Sequence, residues 1–231
     1  MEEHVQRYAT LETVLDVQGI QVCVTRIADF EELLGALDPL TFAEDERLPY
    51  WAELWPAAVA MVHYMTQCLP LAGRRVLELG CGLGLVGIVA ALHGAHVLST
   101  DYEAAALAFA RHNARRNGCQ QARFQLMDWR YPTIRRRYDY ILASDVIYEA
   151  RNFGPLVALL RRYLARGGTA VFSEPGRVNA VPFFALIRQH GFTCETETWP
   201  LEWEGSHQIA MHTIRHQGRS APLGSPYTLR S

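Results

Sequence analysis

The chain contains no lysine; all 22 of its basic side chains are arginine. That excludes a phosphate loop of the GxxxxGK(S/T) kind, whose lysine reaches the phosphates. It also excludes a lysine Schiff base or a lysine general base. Cysteine is sparse: Cys23, Cys68, Cys81, Cys119 and Cys194 are scattered and form no CxxC pair. Neither a disulfide framework nor a zinc site is expected, and the nine histidines form no metal-binding spacing. A reducing cytoplasm is the expected compartment. No apolar run reaches the ~18 residues of a membrane span, and the polar, acidic start of the chain does not read as a signal peptide. The net charge of −2 excludes a generally polybasic nucleic-acid binder but leaves room for a local basic patch.

What is present is a globular composition. The 231 residues are 49% hydrophobic and 20% charged, enough for one domain with a sizeable core. Residues 11–25 alternate about Gly19 and predict a β-hairpin. Residues 29–37 predict a short helix, and 51–69 a longer one in which Pro56 fits only near the first turn. From Arg75 onward short apolar runs alternate with amphipathic stretches. Strands are expected at 75–79, 96–100, 122–126, 138–144 and 169–173, and helices at 85–93, 103–117, 152–165 and 181–190. These helices run up to glycines at 94, 118, 167–168 and 191, the residue best suited to a left-handed cap. The pattern predicts an α/β fold with a mostly parallel sheet covered on both faces. Residues 192–200 and 206–214 have no helix between them and predict an antiparallel pair. The chain divides into an extension over 1–48, a main domain over 49–214 that includes the helix from 51, and a loose tail over 215–231.

The strongest local signal is the run from Val76 to Gly87, VLELGCGLGLVG, where a strand turns into a helix. Ligands of open α/β sheets bind at the carboxyl ends of strands, and glycines there let the backbone approach a ligand. Asp101 ends the next strand, where a carboxylate can accept hydrogen bonds from ribose hydroxyls. Gly82-x-Gly84-x-x-Gly87 matches the dinucleotide fingerprint in form. A dinucleotide would set its pyrophosphate beside Glu78, and like charges there repel. Glu78 suits a ligand carrying an ammonium and a sulfonium, as S-adenosylmethionine does. A tight packing turn without a ligand is the plain alternative.

Residues 75–214 resemble the class I seven-β-strand methyltransferases. The resemblance implies a Rossmann-like sheet of order 3-2-1-4-5-7-6 with strand 7 antiparallel and helices on both faces, preceded here by the hairpin-and-helix extension. It implies S-adenosylmethionine as cofactor, with Glu78, Gly80, Gly82 and Gly84 on its methionine part, Asp101 on the ribose, and Asp128 and Trp129 bordering the adenine. Ala143, near the end of the fourth strand, joins this set. After that strand the chain reads Ser144-Asp-Val-Ile-Tyr148, without the prolines of the adenine-N6 methyltransferase loop, so a nucleic-acid substrate is not expected. Asp-x-x-Tyr resembles the lysine methyltransferase branch, which includes the enzyme acting on the β-subunit of electron-transfer flavoprotein. Pro49 to Pro56, PYWAELWP, resembles the segment that sets a tryptophan near the methyl donor in that branch, and Trp55 is the residue carried over. It is most similar to bacterial relatives, some of them labelled nicotinamide N-methyltransferases. The acceptor implied is a protein lysine, with a small amine or pyridine nitrogen as the alternative; an RNA methyltransferase and a catalytically inactive cofactor-binding relative are the lesser readings. Asp145 and Tyr148 are the expected catalytic residues, Asp145 by holding an ammonium and Tyr148 by a hydrogen bond or its ring face. Arg135–Arg137 and Arg161–Arg162 read either as solvated surface or as a docking patch for an acidic partner.

Overall fold

The computed structural model describes residues 5–35 and 48–218. The end of the first expected helix, at 36–37, and most of the expected tail lie outside the described residues. Strands β1 (Thr10–Val17) and β2 (Ile20–Ile27) form the hairpin, turning at Gln18 and Gly19, both with positive φ. Helix α1 covers Phe30–Gly35. A single 3-10 turn at Tyr50–Ala52 precedes α2 (Pro56–Cys68). The helix thus starts five residues later than its apolar spacing suggests. Pro56 takes its first position, where a missing N–H costs nothing. The indole N–H of Trp55 donates to the Tyr50 carbonyl at 2.7 Å and holds the turn against the helix start.

The main body alternates β3 (Arg75–Leu79), α3 (Leu85–Leu92), β4 (His96–Asp101), α4 (Ala104–Arg116), β5 (Arg123–Leu126), β6 (Tyr138–Ser144), α5 (Phe153–Tyr163), β7 (Leu164–Glu174), α6 (Val181–Gln189), β8 (Phe192–Glu202) and β9 (Ser206–His216). The sheet order is β5-β4-β3-β6-β7-β9-β8. Only β9 runs antiparallel to its neighbours, pairing with β7 on one side and β8 on the other. This is the expected sheet. A strand that alternates sides feeds two separate cores. Val76, Tyr140, Leu142 and Val171 meet α2 and α3, while Leu77, Ile141, Ala143 and Phe172 meet α5 and α6. Residues Val17, Val22 and Val24 of the hairpin join the first of these cores.

Glycine caps end α3, α4 and α6 as expected, with Gly94, Gly118 and Gly191 at φ near +70 to +80°. The fourth expected cap is corrected. Helix α5 stops at Tyr163 and the chain passes directly into β7, whose first residue Leu164 is already extended. Gly167 and Gly168 instead serve a bulge, because the pairing jumps from Tyr138↔Leu164 to Tyr140↔Thr169. A Cβ on Gly168 would lie 2.9 Å from the Asp139 carbonyl oxygen. Strand β9 also runs two residues into the segment expected as tail.

Candidate active site

One cavity opens at the carboxyl ends of β3, β4 and β6, the edge where parallel α/β sheets bind ligands. Trp55, Gly80, Gly82, Asp101, Asp128, Trp129, Asp145 and Tyr148 all line it, and so does Ser144. Residues drawn from five segments of the chain therefore meet at one place. Its floor is the turn after β3. Gly80 and Gly82 have φ of +66° and +49°, and a Cβ on Gly80 would come 2.9 Å from Val146 and 3.4 Å from the Trp129 ring. The Gly82 N–H donates to Asp101 Oδ2 at 2.8 Å, and the Glu103 N–H to Asp101 Oδ1 at 2.9 Å. Burial raises Asp101 to a pKa of about 6, against the pull of these backbone donors.

Three of the expected ligand residues do not reach the cavity lining. Glu78 lies behind it, because in β3 it shares a face with Val76 and points at α3. The β3–β4 register sets Glu78 beside Ser99, whose hydroxyl donates to Glu78 Oε2 at 2.5 Å. Gly87 makes room for that contact, since a Cβ there would sit 2.1 Å from Ser99 Oγ. Burial pushes Glu78 up to about 8, despite the hydrogen bonds from Ser99 and the Gly87 amide, and the nearby Asp101 adds to the rise. Gly84 caps α3 and faces α4. A Cβ on it would meet Ala110 at 2.8 Å, so helix packing requires this glycine. Ala143 is 1% exposed and belongs to the α5–α6 core. Strand alternation puts its neighbour Ser144 on the cavity instead.

Beside Asp145 lies a residue that local spacing could not reveal. Arg177, in the turn after β7, grips Asp145 with two parallel bonds, Nε to Oδ1 and Nη2 to Oδ2, both 2.8 Å. The Asp145 side chain is only 9% exposed, so this pair is largely sheltered. Asp145 has φ of +53°, a conformation costly for a residue with a side chain and one that collects at functional sites. Behind Arg177 its amide donates to Glu174 Oε2. The other Glu174 oxygen meets His212 Nε2 at 3.0 Å, and His212 Nδ1 meets the Thr196 hydroxyl at 2.9 Å. Glu174 is buried, which would raise it, yet the His212 and Arg177 hydrogen bonds lower it on balance. The chain position after a parallel strand was the available signal for Arg177, because β6 and β7 end at the same edge.

Aromatic rings border the same cavity. Tyr50 meets Tyr148 edge-on at 5.7 Å and Trp55 at 5.9 Å. Trp129 Nε1 is buried without a hydrogen-bond partner among the described residues. Asp128 is held by Arg130, Nη2 to Oδ2 at 2.6 Å. Among the described residues no group of three His, Cys, Asp or Glu is placed to hold a metal ion, and no helix is long and apolar enough to cross a membrane.

Protein N-lysine methyltransferase METTL21A of Danio rerio is 40% identical over 136 residues, 54% of this chain and 61% of that protein. The Histidine protein methyltransferase 1 homolog of Dictyostelium discoideum is 29% identical over 147 residues, 61% of this chain and 46% of that protein. The match therefore spans less than two thirds of either relative. Among solved structures, the ribosomal protein L11 methylase of Lactobacillus delbrueckii subsp. bulgaricus shares the fold, with a TM-score of 0.58 at 18% identity over 70% of this chain and 79% of that one. The profile of one family, described as lysine methyltransferase, matches residues 36–190. With the match covering most of the sheet and every segment that lines the cavity up to β7, the chain belongs to the lysine methyltransferase family.

Proposed function

We propose that the chain is an S-adenosylmethionine-dependent methyltransferase that modifies a protein lysine side chain. The single observation that carries this reading is the cavity in which the open glycine turn, the Trp129 ring and Asp145 come together, with Arg177 gripping Asp145 from beyond its lining. The residues fit the cofactor. Gly80 and Gly82 present bare backbone where a Cβ would crowd the floor, and the buried Trp129 N–H lacks a partner. Glu78, close to half protonated near pH 8, is a carboxyl whose ionisation a nearby ammonium or sulfonium would favour. In this reading Asp101 holds the ribose, Asp128 and Trp129 border the adenine, Trp55 closes over the methyl donor, and Glu78 acts from behind the glycine turn. The bound cofactor supplies a methyl group made electrophilic by its sulfonium.

The chain's own task is then alignment, since in-line displacement depends strongly on geometry. Tyr50, Trp55 and Tyr148 form an aromatic mouth suited to the stem and charge of an incoming lysine. Such a lysine loses its proton at a cost of about 4.6 kcal/mol at pH 7, and an isolated carboxylate would make that loss harder. Arg177 resolves the conflict. It neutralises Asp145 while leaving other carboxylate lone pairs free to orient the amine. Five cysteines free of disulfides suit a reducing cytoplasm.

The test is transfer of labelled methyl groups from S-adenosylmethionine into a cell extract divided into protease-treated, RNase-treated and small-molecule fractions. Asp145→Ala is the control, with S-adenosylhomocysteine stabilisation showing that it is folded. A discrete protein band lost with protease and with the variant is expected, and mass spectrometry then identifies the residue. Label confined to small molecules would overturn the protein acceptor and leave a small amine or pyridine nitrogen as the substrate.

A further inference from the structure

A second cavity opens at the opposite edge of the sheet, where β3, β6 and β7 begin and β9 ends. It has a volume of about 660 Å³, inside the ~300–1,000 Å³ range of small-molecule sites. Its lining is charged in one sense. Arg74, Arg137, Arg161, Arg166 and Arg215 all border it, against the single carboxylate of Asp139. That carboxylate is already engaged, accepting the Arg75 amide at 2.9 Å and lying 3.6 Å from its guanidinium. Arg137 donates to the Leu164 carbonyl, and Arg215 pairs with the exposed Glu195. Arg161 and Arg166 both stand exposed on this wall. Arg74, Arg137, Arg161 and Arg166 are exposed, so water screens their mutual repulsion, and an anion seated among them would be drawn by all of them at once.

Two further features distinguish this place from an ordinary basic surface. The bulge of β7 carries Arg166, Gly167 and Gly168 to the cavity wall, and bulges recur where a strand must re-aim a side chain. His216, on the same wall, has its Nε2 buried and without a hydrogen-bond partner among the described residues. Arginine forks match phosphate oxygens two at a time.

We propose that this basic cavity binds a small anion carrying two or more phosphate groups, either free pyrophosphate or the phosphates of a nucleotide. The site lies at the other end of the strands from the first cavity and does not depend on what fills that one. A hollow of this size admits a small ligand, whereas a nucleic-acid strand would track along an extended groove.

Calorimetric titration of the full chain, with the first cavity saturated by S-adenosylhomocysteine, tests the proposal. The probes are inorganic phosphate, pyrophosphate, ADP and a poly(A) RNA. Pyrophosphate or ADP is expected to bind at least tenfold more tightly than phosphate. The double variant Arg161→Ala with Arg166→Ala should weaken that binding at least tenfold and leave S-adenosylhomocysteine affinity unchanged. Arg135→Ala, whose side chain lies outside the cavity, should bind as the parent does. ADP binding tighter than pyrophosphate would mark the source as a nucleotide, and equal binding as the free anion. No binding at millimolar pyrophosphate and ADP would overturn the proposal. Equal losses in Arg135→Ala, or RNA binding that outcompetes both small probes, would also overturn it in favour of a diffuse basic surface.

Discussion

In the proposed reading Arg177 decides how Asp145 behaves toward an amine. With the guanidinium in place the pair is close to neutral, and the carboxylate orients without strongly holding a proton on its neighbour. Arg177→Ala removes that balance. The rate–pH profile for lysine methylation should move upward by about one unit, which means roughly tenfold less activity at a fixed pH on its rising limb. Arg177→Lys keeps the charge but loses the two-pronged geometry, so it should recover the profile while leaving a lower maximal rate. A profile that stays in place in the alanine variant would show that Arg177 serves the fold alone. Glu174 and His212 carry the same consequence at one remove, since they fix the turn that presents Arg177.

At the scale of elements, α4 is stapled to the hairpin by two asparagines one turn apart. Asn113 is fully buried, accepts the Thr25 amide at 2.9 Å, and donates to the carbonyls of Thr25 at 3.1 Å and Leu83 at 3.0 Å. Asn117 repeats the pattern on Cys23, so the helix pairs with the edge of β2 much as another strand would. Asn113→Ala strands at least one buried amide and two carbonyls. It should lower stability by about 2–4 kcal/mol, read as a lower urea midpoint with an unchanged m-value. A loss below about 0.5 kcal/mol would mean that water replaces the side chain.

This staple also shows where sequence reading stops. The strand–helix rhythm from Arg75 was legible because periodicity and glycine caps are local, and the sheet order followed from the resemblance. Gly167 and Gly168 misled because a bulge and a helix cap ask for the same residue. The glycine turn, Asp101, Trp129, Asp145 and Tyr148 were found because each sits at the end of a readable strand. Choosing Ala143 over Ser144 needed the strand's facing, which a strand apolar on both sides conceals. Arg177, Asn113 and His212 act through partners 16 to 88 positions away, and no spacing rule covers such distances.

Across the whole molecule the buried acids set a pH dependence of definite sign. Glu78 and Asp101 have folded pKa values of about 8 and about 6, above their ordinary values of 4.5 and 3.8. The folded state therefore holds protons that the unfolded state releases. Their contribution is fully present below about pH 4 and is lost as pH rises through 6 and then 8. The ligand-free protein should lose on the order of a few kcal/mol between pH 5 and 9 from this cause. Cofactor cations favour the ionised acids, so stabilisation by S-adenosylmethionine should grow over the same interval. Melting temperatures with and without cofactor measure both trends, and Glu78→Gln should flatten the upper part of the curve. Parallel curves from pH 6 to 9 would contradict the assignment of Glu78 to the cofactor.

The distribution of tryptophan has an optical consequence. Trp51, Trp55 and Trp129 line the first cavity, while Trp199 lies beside Tyr64 and away from it. The Trp129 indole N–H waits for a partner, and indole emission shifts with the polarity and hydrogen bonding around the ring. Occupancy of the site is thus written into the protein's own fluorescence. A label-free emission titration with S-adenosylhomocysteine would report it, and Trp129→Phe would remove the largest share of the signal.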